Sequence, residues 1–179
     1  MRWALFSERF QIVRSRVWML WVCLFLALTC SYAAAFDGNR TIAQFAHTTW
    51  GQKDGAPSPI TALAQSADGY LWLGTPGGLY RFDGVVFEHY HPQSGGPFPY
   101  SAVASLLALP NGDLWIGFSV GAITLLRNGN ATNYTARDGV PEGCVWSITQ
   151  DREGTIWAAD DHGLVRLQGN RWNEVGEDW

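Results

Sequence analysis

Beyond residue 35 the chain has one cysteine, Cys144, and only eight Lys and Arg against fifteen Asp and Glu. A single thiol cannot form an internal disulfide, so that segment has no covalent staple. No His or Lys adjoins Cys144 to draw off its proton, and it reads as a small buried hydrophobe, not a nucleophile. The scarcity of basic residues also argues against nucleic acid, whose phosphates need a Lys- and Arg-rich face. Formal charge is −4 over all 179 residues and near −7 beyond residue 35. Long apolar runs are missing too. Val17 to Leu28 holds twelve apolar residues, where a bilayer span takes about 20. This run follows Arg2, Arg9, Arg14 and Arg16 and precedes Ser31-Tyr32-Ala33-Ala34-Ala35, the three-part order of an export signal. Residues 1–35 therefore read as a signal-peptide helix, with an uncleaved membrane anchor as the alternative. Lipidation at Cys30 is disfavoured by the bulk of Thr29 before it.

Aromatic residues and glycine are plentiful. Ten tryptophans, seven of them beyond residue 35, accompany twenty glycines, and 47% of the residues are hydrophobic. Such a composition folds around a core. The aromatic residues recur at a fixed interval. The segment 60–90 returns as 103–134 and again as 145–175. Trp72, Trp115 and Trp157 keep one phase, as do Gly69, Gly112 and Gly154, and Gly78, Gly121 and Gly163. Each copy reads as four short strands joined by turns. In the first, Ile60–Gln65 leads through Asp68-Gly69 to Tyr70–Gly74; Gly78–Phe82 then leads through Asp83-Gly84 to Val85–Tyr90. Leu71, Trp72 and Leu73 are apolar in succession, which a strand shows when both sheet faces are covered. Four-stranded antiparallel units repeating at about 43 residues predict β-propeller blades. The fold class is all-β: a partial propeller of three blades behind the signal-peptide helix. Residues 36–59 form an N-terminal strand and connector. In the second copy, Gly121 and Gly129 stand further apart than their counterparts, which predicts a longer or bulged third strand.

Asp-Gly-x-Pro occurs in the connectors 53–60 and 137–145, while 91–102 reads as a Pro- and Gly-rich surface loop. Trp50 and Trp179 stand three periods apart, so residue 179 falls where a fourth blade would begin. Three blades do not close a ring. The expectation is a piece of a longer protein, with residues 41–46 as the fourth strand of a blade completed elsewhere.

The run Asp68–Gly84, DGYLWLGTPGGLYRFDG, resembles the two-component regulator propeller repeat, and Gly74 stands at the glycine of its Trp-x-Gly-Thr element. The segment DREGTIWAADDHGLVRL resembles it with Ala159 and Asp160 in place of Gly-Thr. NGDLWIGFSVGAITLL, which keeps Gly117, is the weakest copy. The resemblance covers about residues 42–179. It implies an exported sensor region on the periplasmic side of the inner membrane. In such proteins the propeller, often one of two with seven blades, joins a β-sandwich, a membrane helix and a cytoplasmic histidine kinase or hybrid kinase, sometimes a diguanylate cyclase. It also implies partnership with the rest of the propeller and the output domain, a homodimeric parent, and an unknown external ligand, with a glycan-derived one as a candidate. Beyond residue 35 no kinase or cyclase motif is found, so no catalytic residue is carried over.

Other motifs were weighed on chemistry. GTPGGLYRFDG lacks the Lys-Ser/Thr and following helix of a phosphate loop and reads as hairpin turns. The in-phase Trp72, Trp115 and Trp157 read as core between blades, not a sugar-stacking ladder. Trp50, Trp146 and Trp172 lie off that register and are the better ligand candidates, though a structural role is the simpler reading for them too. His89 and His91 have the spacing of a metal pair on one strand face, but without a third ligand they read as surface histidines. Asp160, Asp161 and His162 cluster on a loop where a propeller varies to bind ligands, though a solvated turn is the simpler reading. No cofactor or metal is expected. Three functions compete: a sensory binding module, a propeller enzyme such as a glycan lyase or hydrolase, and a protein–protein scaffold. The first is preferred.

Overall fold

The computed structural model describes residues 48–176, which form twelve strands in three separate antiparallel sheets. The first sheet contains β1 (Ala62–Gln65), β2 (Leu71–Thr75), β3 (Gly78–Phe82) and β4 (Phe87–His89). The second contains β5 (Val103–Ala108), β6 (Leu114–Phe118), β7 (Ile123–Arg127) and β8 (Asn130–Tyr134). The third contains β9 (Ser147–Gln150), β10 (Ile156–Ala159), β11 (Leu164–Gln168) and β12 (Arg171–Glu174). Each sheet is a meander in chain order. β1 lies beside β5 and β5 beside β9, so the first strands form an inner row and the sheets stand as successive blades. This is a partial propeller. The expected export signal, the strand expected at 41–46 and Trp179 lie outside the described residues. Helix is confined there to single 3-10 turns at Gln52–Asp54 and Ala136–Asp138.

The repeated residues explain the repeated sheets. In the turn after each first strand, Gly69, Gly112 and Gly154 take φ of 91°, 88° and 90°, a conformation without strain only for glycine. Their N–H groups donate to the carbonyls of Ser66, Leu109 and Asp151 at 2.9, 3.0 and 3.2 Å. On β6 the even residues Leu114, Ile116 and Phe118 share a core cluster with Trp72 and Leu79 of the first blade. Trp115 points the other way, into a second cluster with Ile148, Ile156, Ala158 and Trp172 of the third blade. Every residue of β6 is buried, as a strand covered on both faces requires. Trp157, on the far face of β10, is half-buried. Its indole N–H donates to Asp151 at 2.7 Å, and that of Trp72 donates to Ser66 at 3.0 Å. Leu109 stands at the corresponding place in the second blade, and the Trp115 nitrogen is buried without a partner.

Blades approach closely because glycine follows two residues after each of the first two tryptophans. A Cβ on Gly74 would come within 2.5 Å of Val103 Cγ1, and one on Gly117 within 2.7 Å of Val145 Cγ1. Hydroxyls bridge the same seams: Thr61 donates to the Val103 carbonyl and Ser105 to the Val145 carbonyl, each at 2.6 Å.

One expectation about the second copy needs correction. Its third strand has five residues, no more than β3 or β11. One additional residue lies in the hairpin loop: Phe118 N–H bonds to the Ala122 carbonyl, whereas Asp160 N–H bonds to the Gly163 carbonyl one residue nearer. The bulge is in β5, between Val103 and Ser105. The connector 91–102 is the surface loop expected, and hydrogen bonds tie it to the second blade. Gln93 N–H donates to the Gly129 carbonyl at 2.9 Å, Ala131 N–H to the Ser94 carbonyl at 3.0 Å, and Asn133 Nδ2 to the Pro97 carbonyl at 3.0 Å. It docks along the outer strand of the second blade.

If this seam is set by close approach, Gly117→Val should overpack it and cost roughly 1–3 kcal/mol. Urea unfolding monitored by tryptophan emission checks it; an unchanged midpoint would show that the seam has slack.

Candidate functional site: a divided cleft between the first two blades

The sheets have two working edges. The connector edge carries the β2–β3, β6–β7 and β10–β11 hairpins and the blade-to-blade connectors. The turn edge carries the remaining hairpin turns. Between the first and second blades a cavity opens at each edge, and Tyr90 lines both.

The connector-edge cavity, about 460 Å³, is walled by Leu79, His89, His91, Phe98 and Tyr100, with Pro92, Pro97 and Pro99 along its rim. His89 and His91 stand edge-to-face with ring centroids 4.5 Å apart, and the Tyr80 ring lies 4.7 Å from His89. Among the described residues no group of three His, Cys, Asp or Glu side chains could hold a metal. The pair is a polar, aromatic-flanked wall. The turn-edge cavity, about 420 Å³, is lined by Ser66, Asp68, Trp72, Arg81, Asn111 and Asn128, among others. Trp72 and Tyr90 meet there edge-to-face at 4.9 Å. The Arg81 guanidinium lies 4.5 Å from the Tyr70 ring centroid and donates to Glu88 at 2.7 Å, a bond that raises its already high pKa.

The residues singled out in the sequence fall into different places. Trp72 is buried at the first seam and also lines the turn-edge cavity, while Trp115 is buried in the second seam. Gly78 and Gly163 open the β2–β3 and β10–β11 return strands, and Gly121 closes the longer β6–β7 loop. Asp83 accepts from the N–H groups of Val85 and Val86, both at 2.8 Å, and holds the turn that contains Gly84. Trp172 is not a ligand candidate: it is 1% exposed and packs edge-to-face on Trp115 and Tyr134. Trp50 is partly exposed and packs against Phe82 at 5.0 Å. Trp146 is 63% exposed on the connector edge.

The polar loop at 160–162 is structural. Asp160 Oδ1 accepts from the N–H groups of His162 and Gly163 at 2.7 and 2.9 Å. Thr75 holds the corresponding first-blade turn, its Oγ1 accepting from Gly77 N–H at 3.1 Å. Asp161 reaches across to the start of the third blade, accepting from Cys144 N–H at 2.7 Å and from the Trp146 indole at 2.6 Å. These bonds, the Cys144 N–H first, hold its carboxyl below the ordinary range. Burial pushes the Cys144 thiol up, as expected of a packed residue.

Sequence reasoning missed a third connector signal. Gly95 and Gly139 both have positive φ, and a Cβ on either would strike a carbonyl oxygen of an outer strand, Ala131 in one case and Trp172 in the other. Ser94-Gly95-Gly96-Pro97 is thus the counterpart of Asp138-Gly139-Val140-Pro141 and Asp54-Gly55-Ala56-Pro57. An aromatic residue stands five positions before each of these glycines: Trp50, Tyr90 and Tyr134.

The Asp161 clamp has a testable pH dependence. A lowered folded pKa means its contribution is present above the ordinary Asp value near 3.9 and is lost as pH falls through the folded value. The Trp146 indole N–H resonance should therefore hold steady down to about pH 4 and move only in stronger acid. In Asp161→Ala that movement should be absent; an unchanged titration would mean the clamp does not form.

Residues 54–77 and 139–162 match the two component regulator propeller family. No curated protein matches the chain. Similar solved structures include an extracellular domain assigned to a hybrid two component system from B. thetaiotaomicron, at 22% identity and TM-score 0.56 over 68% of this chain and 17% of that one. A streptogramin B lyase is 21% identical, with TM-score 0.55 over 68% of this chain and 41% of the other. The virginiamycin B lyase from Staphylococcus aureus is 19% identical, with TM-score 0.52 over 66% and 42%. The chain thus spans less than half of each, and at these identities the likeness shows the fold alone. Its first and third blades begin with the matched segments, and the chain carries the repeats of the two-component regulator propeller family.

Proposed function

We propose that this chain is part of the extracytoplasmic sensing region of a two-component signalling protein, binding a small external ligand at the connector edge between its first two blades. The observation that carries the reading is the family match on the first and third blades, combined with a cavity built from the connector between the first and second. The repeats supply a rigid frame, and the connector with a different sequence supplies the recognition surface. Aromatic and proline side chains offer flat apolar contact there. His89 and His91 add polar contacts. A glycan-derived ligand suits such a wall, since sugar rings present apolar faces and polar rims.

In this reading the chain has no catalytic role. The output belongs to a histidine kinase, hybrid kinase or diguanylate cyclase joined to it in a dimeric parent, and the export signal delivers the propeller outside the inner membrane. Ligand binding transmits a signal only if it favours one receptor arrangement over another. A propeller enzyme is the second reading, because the fold is shared with two lyases.

Thermal melts of the chain with cello-, xylo- and chito-oligosaccharides test the proposal. One class should stabilise the protein, by about 2.7 kcal/mol at one hundred times its Kd. Tyr100→Ala and His91→Ala should reduce that gain. Absence of stabilisation by any class would contradict the glycan ligand, and cleavage of the oligosaccharide would favour the enzyme.

A further inference from the structure

The three blades can be compared position by position. Trp72, Trp115 and Trp157 pair across their hairpins with Arg81, Leu125 and Arg166, which aligns the sheets. One residue further on, Phe82, Leu126 and Leu167 pair with Phe87, Ala131 and Trp172. Phe87, Ala131 and Trp172 are therefore counterparts on the fourth strands.

Where this position is large, it joins an aromatic cluster. Trp172 lies 6.2 Å from Tyr134 and 6.0 Å from Trp115, both edge-to-face. Phe87 stacks on Phe82 at 4.1 Å, and Phe82 carries Trp50 at 5.0 Å. At the seam between the first and second blades the aromatic walls remain, as Trp72 and Tyr90, but the residue that should meet them is Ala131. The connector makes the same omission. Val140, 2% exposed in the second seam, corresponds to the exposed Gly96 in the first. Two side chains that fill one seam are missing from the other. The turn-edge cavity of about 420 Å³ opens beside those walls, within the range of small-molecule sites, roughly 300–1,000 Å³.

We infer that this groove, bounded by Trp72, Tyr90, Arg81, Leu126 and Asn128, binds a flat, uncharged aromatic or heteroaromatic ring of indole size bearing a hydrogen-bond acceptor. Ring shape follows from Trp172, whose indole occupies the corresponding place in the next seam. The lining is mixed, with Ser66, Asn111 and Asn128 beside the rings, and edge-to-face contact with the two aromatic walls is what favours a ring there. The acceptor follows from Arg81. Arg81 lines the groove with its Nη2 occupied by Glu88, while its Nη1 makes no hydrogen bond among the described residues. Leu125, at the corresponding position of the filled seam, makes no such demand. Asp68 on the wall and Glu88 behind the guanidinium disfavour an anion. The site is separate from the connector-edge cavity and does not depend on the sensory reading.

Calorimetric titration of the full chain with indole and with 2-oxindole, its carbonyl-bearing analogue, tests the inference. Saturable binding of one ring per chain is expected, with Kd on the order of 1 mM or tighter. Oxindole should bind about 3- to 10-fold tighter than indole, the worth of one hydrogen bond. Ala131→Trp should fill the groove and remove binding of both rings, while Trp172→Ala should open the second seam and raise the stoichiometry to two. No saturable binding to the natural chain, or undiminished binding to folded Ala131→Trp, would overturn the proposal. If Ala131→Trp does not fold, Arg81→Met carries the test, because it keeps an apolar stem across the rings. Loss of the oxindole preference with indole binding retained supports the site, and a retained preference overturns it.

Discussion

Much of this fold depends on an indole laid against the neighbouring sheet. Trp72 and Trp115 leave the second strands of their blades and enter core clusters shared with the blade that follows. A four-stranded sheet this small cannot bury both its faces alone. It gains a core only by lending one face to the blade before it and the other to the blade after it. Burying a tryptophan in this way is worth several kcal/mol, on the scale of the roughly 3–5 kcal/mol lost when one is truncated to alanine. The glycine two positions later lets the two backbones approach closely enough for that contact. The Thr61 and Ser105 hydroxyls then tie the inner strands across the seam.

Once seams carry the stability, departures from the repeat become informative. The second blade is the least regular copy, with its longer hairpin loop, its bulged first strand and an orphaned Trp115 nitrogen. It is also the most buried, so packing on both faces offsets local irregularity. The one ion pair in its turn region follows the same logic. Asp113 is buried, and Arg127 meets it with two bonds of 2.7 and 2.6 Å that hold its carboxyl below the usual range. A bidentate pair satisfies a carboxylate that the core would otherwise penalise. The first seam, by contrast, is incompletely filled, and both cavities of the divided cleft lie along it.

The sheets were legible because their determinants are local. Gly69, Gly112 and Gly154 mark turns by their own backbone needs, and successive apolar residues mark two-faced strands. What escaped notice depends on pairing between distant residues. Trp172 looked like a ligand candidate because its phase differs from that of Trp72; only the register of β11 with β12 places it across from Leu167, inside the second seam. Asp161 looked like part of a polar cluster, but its partners, Cys144 and Trp146, come from the connector that enters the blade. The connector at 94–97 was obscured because Ser94 replaces an aspartate and additional prolines surround it. The small residue at Ala131 could not be weighed from sequence at all, since an alanine on an outer strand is unremarkable until its counterparts are known.

Hydrogen exchange under native conditions tests most directly whether the seams, and not the individual sheets, hold the fold. Amides of β2, β5, β6 and β9, which flank the two seams, should open together with one free energy close to that of global unfolding. Outer amides of β4 and β12 should exchange sooner. If each sheet instead opened separately, with its own free energy and its own denaturant dependence, the blades would be independently stable and the account given to the seams would be wrong.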